Sequence, residues 1–314
     1  MKASSIFMKT LPFCWAKLAL GALNVLISAI VFAILFGITV AMESSGMLVI
    51  SIILWLSLTG LSNFLLNQYA GYLVKAGHIA VITEAVNGGQ IPADQIKYGA
   101  SKVKARFATA NVYFAVDKLV SGAVKQIQNG VEKVGSLFDS IPGISSIVGL
   151  LNMFIGIFLG YIDECCLGYT FLRKDQNAFK SAADAVVIYA QSWKALMKSA
   201  AVTMLKVVVT MILLTIACFI PIAAIFGALQ WHMFIAFVLA VMLASVIKSA
   251  FVDYYIMCEM MASYIAVAAK TEITFDLYGK LCKISRSFKD LFNKGQTNPS
   301  PAPAPAAVAP ESGF

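Results

Sequence analysis

Residues 18–42 read LALGALNVLISAIVFAILFGITVAM, an uninterrupted run without a single charge. A helix of that length is about 37 Å long, enough to cross roughly 30 Å of hydrocarbon. Residues 47–74 form a second apolar run, and only Glu43-Ser44-Ser45-Gly46 joins the two. The pair reads as a tight transmembrane hairpin occupying residues 1–74. Early lysines before an apolar stretch also begin a signal peptide, but this stretch is too long for one and no small-residue cleavage site closes it. It therefore reads as a retained first span.

The whole chain supports that start. Its 314 residues are 60% hydrophobic and only 13% charged, with mean hydropathy +0.81, well above the roughly 45–50% apolar content of soluble domains. The expected fold class is an all-α integral, multi-pass membrane protein. The net charge is +8 and the isoelectric point about 9.1. Lys and Arg lie in blocks between the apolar runs, not interleaved with aromatics as on a nucleic-acid-binding face, so no nucleic-acid partner is expected. Such blocks orient a membrane protein by the positive-inside rule. Lys2, Lys9 and Lys17 precede the hairpin, Lys75 follows it, and the connecting loop carries only Glu43, which puts both hairpin ends in the cytoplasm.

Residues 75–140 change character, with Lys97, Lys102, Lys104, Arg106, Lys118, Lys125 and Lys133 set among helically spaced apolar positions. They read as one long or once-broken amphipathic helix after the loop NGGQIPADQ (87–95), with Asp94 as its cap. It would lie on the inner leaflet, against its own bundle, or on a dedicated partner. Residues 176–200 repeat the pattern as a surface helix, with Phe179, Ala183, Val186 and Ala190 on one side and Lys180, Asp184, Lys194 and Lys198 away from it. Spans follow at 207–229 and 233–269, the second expected to project from the bilayer at its far end. Residues 271–295 read as a third, basic surface helix, and the Pro/Ala-rich residues 296–314 as a disordered tail.

Residues 141–172 decide the topology. They hold the only charged pair in a long apolar stretch, Asp163-Glu164 within YIDECCLGY (161–169). A single crossing there would strand one basic block outside. The preferred reading is a re-entrant segment that leaves by the face it entered, with both acids past its turning point; the alternative is a fifth membrane segment over 143–162 with the acids in the headgroups. Four full spans, this segment and the long cytoplasmic amphipathic helices make up the expected architecture.

The stretches DQNAFKSAADAVVIYAQSW (175–193) and FVDYYIMCEMMASYIAVAA (251–269), separated by a span pair, resemble the C-terminal half of the choline transporter-like family. Asn177-Ala178-Phe179 stands where the family has Asn-Ala-Tyr, and Tyr255-Ile256-Met257-Cys258 matches its Tyr-x-Met-Cys near the cytoplasmic end of the last helix. The likeness covers roughly residues 105–270, the membrane core being 141–270. It implies a segment of weak span character before the Asn-Ala-Tyr element, and a transporter or channel for a small organic cation such as choline. The chain departs in having about half the family's length and spans, and in carrying Glu259 directly after Cys258 where the family's acid comes two positions later. With half the spans, enclosing a pathway would need a homo-oligomer.

The residues that could carry such chemistry are few. Asp163, Glu164, Asp253 and Glu259 could pair with a cation or carry protons, since a carboxylate drawn from water titrates nearer neutrality. Tyr254 and Tyr255, with Tyr161 and Tyr169, could offer aromatic faces to a quaternary ammonium. Asn63 and Asn67 share a face with Gly60 and Gly71, as Asn24 does with Gly21 and Ser28; such faces pack helices together or line a path. Lys248 and Glu259, eleven residues apart, share a helix face, with Asp253 to the side, and read as a charge network that fixes the last helix. His78 and His232 lack ligand partners at helical spacing, and no nucleotide or nucleophile motif occurs, so no enzyme, metal or cofactor is expected. The six cysteines read as small apolar filler. The expected partners are the bilayer, anionic inner-leaflet lipids, and either further copies or another membrane protein. The alternative to transport is a non-transporting scaffold or assembly subunit.

Overall fold

The structure, a computed structural model, describes residues 2–42, 45–107, 110–135, 161–228, 230, 233–273 and 275–298, and every described element is helical. The expected turning point of the re-entrant segment and residues 299–314 of the expected tail lie outside the described residues, while Gln296 and Thr297, expected in that tail, are helical. In chain order the helices are α1 (Ala3–Lys9), α2 (Leu11–Met42), α3 (Ser45–Leu66), α4 (Tyr72–Val86), α5 (Gln95–Phe107), α6 (Ala110–Gly135), α7 (Ile162–Leu172), α8 (Ala178–Ala228), α9 (Met233–Ile247), α10 (Asp253–Ala268), α11 (Phe275–Ile284) and α12 (Arg286–Thr297). A π turn, Asn67–Gly71, joins α3 to α4, and a second, Lys248–Val252, joins α9 to α10.

Among the described residues four helices are long and apolar enough to cross a membrane: Leu11–Met42, Gly46–Leu66, Leu205–Ala228 and Leu239–Ala268. The chain is an all-α membrane protein. The spans form two antiparallel hairpins, α2 with α3 and the second half of α8 with α9. Within the first, Trp55 Nε1 donates to Ser28 O and Oγ, both at 3.1 Å, and the Thr39 and Ser51 hydroxyls meet at 2.7 Å. Such bonds between membrane helices are worth about 0.6–2 kcal/mol each. Protein covers only 6% of the most apolar stretch of each of the first three spans. Two thin hairpins therefore present nearly all their apolar surface to lipid.

The rest of the described chain folds into one helical body at the hairpin feet. Helix α4 prolongs the second span and is buried almost all round from Ala76 to Thr83. It ends at Gly88, whose φ of 85° terminates the helix. The loop then leads to α5, whose start Asp94 caps by accepting from Lys97 N at 3.2 Å. A Cβ on Gly99 would stand 2.7 Å from Gly77 O, so these two glycines let the backbones of α4 and α5 cross in contact. The expected basic amphipathic region is helical over α5 and α6, burying Val103, Phe107, Tyr113, Val116 and Val120 and exposing Lys104, Lys118 and Lys125.

One expected surface helix turns out to be interior, and another is two helices that cover it. Residues 176–200 are not a separate element: α8 runs unbroken from Ala178 to Ala228, because no Gly or Pro interrupts it before Pro221. Its first three turns are buried on every side apart from Lys180, so Asp184, expected outside, is 5% exposed. The cover comes from residues 271–295, which are not one surface helix but α11 and α12, folded back at Ser285. That serine caps α12 by accepting from Phe288 N at 3.0 Å, and Phe288 and Leu291 are driven into the core. Each such side chain contributes about 1.5–3 kcal/mol when fully buried. Asn177 secures the fold-back: it caps α8 by accepting from Lys180 N at 2.9 Å and donates to Gly295 O at 2.7 Å and Asn298 O at 2.9 Å. The described part of 141–172, helix α7, likewise lies inside the body, packed on α4, α6, α8 and α10. The basic blocks carrying Lys118, Lys180 and Lys289 thus share one body on one side of the spans.

Candidate functional site

Where the four spans enter the body, lysines and carboxylates converge. Glu164, 5% exposed, receives Lys75 Nζ at 2.5 Å on Oε1, while its Oε2 has no hydrogen-bond partner. Asp163 accepts from Ser121 Oγ at 2.7 Å and from the backbone N–H of Glu164 at 3.1 Å. Both acids open α7, where the N-terminal backbone N–H groups favour negative charge. Tyr161 donates to Asp253 Oδ1 at 2.7 Å, tying the start of α7 to the start of α10. The acids that first drew attention in the sequence are therefore the link between a body helix and the prolonged second span.

Burial drives Glu164 well above the usual carboxylate range, reinforced by the Asp163 charge and opposed by Lys75. Burial would also raise Asp163, but hydrogen bonding to Glu164, the Lys75 charge and Ser121 outweigh it and hold that carboxyl low. Burial works against the charge on Lys75, yet Glu164 and Asp163 keep its affinity for a proton above the ordinary lysine value. A third carboxyl, Asp117 on α6, lies within electrostatic reach of Lys75 and Asp163, and burial pushes it up to about 6.

Asp253 and Glu259 are placed differently from the sequence expectation. Lys248 pairs with Asp253 at 2.7 Å and not with Glu259. The π turn between them closes i to i+5 bonds, so the fifth residue on, not the fourth or the eleventh, stands beside Lys248. Glu259 instead accepts Lys206 Nζ from α8 at 2.6 Å. Tyr255 packs edge-on to Phe7, ring centroids 5.5 Å apart, with Lys206 Nζ 6.0 Å from its ring. Tyr254 is buried edge-on to His78 at 4.7 Å, and His78 stacks on Phe13 at the same distance. Both ring nitrogens of His78 lack partners, and burial alone pulls it down to about 3, so it is a neutral filler. His232 lies outside the described residues.

Asn63 and Asn67 lie near the end of the second span, beside Lys17, which stands within electrostatic reach of Lys75 and Asp253. Asn67 Nδ2 donates to Asn63 Oδ1 at 2.6 Å, and Lys17 Nζ donates to Asn67 Oδ1 at 2.6 Å. All six cysteines are unbridged, five of them buried.

Lys17 and Lys75 were read from the sequence only as orienting charges, and Lys206, Asp117 and Ser121 not as site residues at all. One signal for the lysines was on the page: each stands at the end of an apolar run, where the only nearby anions are those the fold supplies. Arg106 is another. Its guanidinium donates to Gln176 O and Arg173 O, both at 2.9 Å, and to Ser181 Oγ at 2.7 Å, closing the turn between α7 and α8. No protein-family model, curated protein or solved structure matches the chain.

Proposed function

We propose that the chain is a membrane assembly subunit, a scaffold whose spans join other apolar helices while its body lies on the cytoplasmic face. The observation that carries this is the open face Gly60–Asn63–Asn67 on the second span. A Cβ added at Gly60 would meet nothing within 4 Å, and both asparagines are exposed, bonded only to one another and to Lys17. A small residue with amides one and two turns away lets two membrane helices approach and hydrogen-bond, whereas amides left facing hydrocarbon go unsatisfied. The occupant most consistent with an isolated chain is a second copy, because most oligomers are symmetric homo-oligomers. The exposed Lys104, Lys118 and Lys125 suit anionic lipid headgroups beneath it.

The test is Asn63→Cys in native membranes under mild oxidation. A disulfide-linked dimer supports self-assembly, and a stoichiometric foreign membrane protein that survives detergent supports a mixed assembly. A monomer that captures neither ends the proposal.

Cation transport is the second reading, favoured by the choline transporter-like stretches and by amides that would face a shared axis in an oligomer. Against it, Glu164, Asp253 and Glu259 each already hold a lysine. Uptake of labelled choline into proteoliposomes decides it: flux no greater than in protein-free vesicles removes this reading.

A further inference from the structure

Three carboxyl groups meet beneath the second span with one ammonium among them. Asp117 comes from α6, Asp163 and Glu164 from α7, and Lys75 from α4. The other charged groups nearby are already committed. Lys248 neutralises Asp253, which also takes the Tyr161 hydroxyl, and Lys17, hydrogen-bonded to the Asn67 amide, adds its charge on the Asp253 and Lys75 side. The remaining titratable neighbours are uncharged: Tyr72 and His78 on α4, Tyr113 on α6, Cys165 and Cys166 on α7, and Tyr254 on α10.

Full ionisation of the three carboxyls would set three negative charges against the single ammonium among them, and buried charge that lacks a partner is relieved by taking up a proton. Glu164 Oε2 points to where that proton goes. It is enclosed and has no donor. Its Oε1 is already held by Lys75, and the Asp163 carboxyl adjoins it. Once protonated, the Glu164 carboxyl becomes the donor itself and Asp163 the acceptor, so the orphaned atom is satisfied without moving any helix.

We propose that Asp117, Asp163 and Glu164 form a partly buried proton-binding site, which keeps one proton on the Asp163–Glu164 pair at neutral pH and takes a second on Asp117 as the pH falls. The site couples three elements. Helix α4 continues the second span through the π turn, α6 carries the basic face, and α7 is tied through Tyr161 to the last span. Loss of the shared proton adds negative charge between α7 and α6, so alkaline conditions loosen α7 from its neighbours. This proposal is independent of whether the Gly60–Asn63–Asn67 face is occupied.

The experiment is infrared difference spectroscopy on the full chain in lipid nanodiscs, in H2O and D2O. At neutral pH the wild type shows a protonated carboxyl band that shifts in D2O, moves when the glutamate carboxyls carry ¹³C, and is lost in Glu164→Gln. On acidification a second band appears, which Asp117→Asn removes while leaving the first. If Glu164→Gln does not fold, the labelled wild type alone decides. No protonated carboxyl at neutral pH, or a band that glutamate labelling leaves in place, overturns the proposal.

Discussion

Replacing Lys75 with methionine keeps the stem's apolar contacts and removes the ammonium that sits 2.5 Å from Glu164. The remaining carboxyl, 7% of its side chain exposed, then faces Asp163 without a cation. Removing one partner of a buried ion pair costs about 3–5 kcal/mol. Lys75 itself keeps 33% of its side chain exposed, so water reaches that end of the pair. The lower figure, about 3 kcal/mol, is therefore the appropriate one. The loss depends on pH. Glu164 already binds its proton more tightly when folded, and without Lys75 it binds it more tightly still. The variant's deficit is therefore largest at alkaline pH and shrinks as the pH falls through its raised folded pKa. A fluorogenic maleimide gives the readout, because five of the six thiols are buried and react only on unfolding. At roughly 2–4 °C per kcal/mol, the midpoint should drop by about 6–12 °C in alkaline buffer and by much less in mildly acidic buffer. Lys75→Met with Glu164→Leu should recover part of the loss, because the double change also removes the most enclosed carboxyl and leaves only the partly exposed Asp163 and Asp117 without the ammonium. A deficit equal at both pH values, or a double variant no better than the single, would refute the argument.

Asn177→Ala removes one helix cap and two bonds to the chain end; it should cost about 2–3 kcal/mol, seen as faster hydrogen exchange over 286–298 with α2 and α3 unchanged. Gly99→Ala drives a methyl to 2.7 Å from the Gly77 carbonyl, so α4 and α5 must separate, lowering the thermal midpoint by the equivalent of about 1–3 kcal/mol. Asp117 is raised on folding from 3.8 to about 6, so its contribution is fully present below the lower value and is lost as pH rises through the higher one. After allowance for partial exposure the fall is about 1–3 kcal/mol, and melts of Asp117→Asn across that window should be flatter than those of the wild type.

The spans could be read from the sequence because lipid imposes a length and a composition that no other element shares. The break at 87–95, the cap at Asp94 and the inward faces of α5 and α6 were likewise local, set by turn residues and helical spacing. What escaped was decided by distant cover. Asp184 looked exposed because its own helix has a polar side there, and only α11 makes that side interior: Tyr278 donates to Asp184 Oδ1 at 2.5 Å and Gln176 to Oδ2 at 2.7 Å. Lys248 was matched to the wrong acid because ideal helical spacing fails at a π turn. Asp163 and Glu164 drew notice as charges among apolar neighbours, but nothing local in the sequence pairs them with Lys75, 89 positions away for Glu164 by its numbering.

The account rests most heavily on the three basic blocks sharing one body at the feet of both hairpins. Lys118, Lys180 and Lys289 are exposed, one on each block. Each can be exchanged for cysteine, with Cys282, the least buried native thiol, changed to serine. A membrane-impermeant maleimide applied to sealed, oriented vesicles should reach all three from the same face and none from the other. If any one of them is labelled only from the opposite face, the body described here does not exist as a single unit.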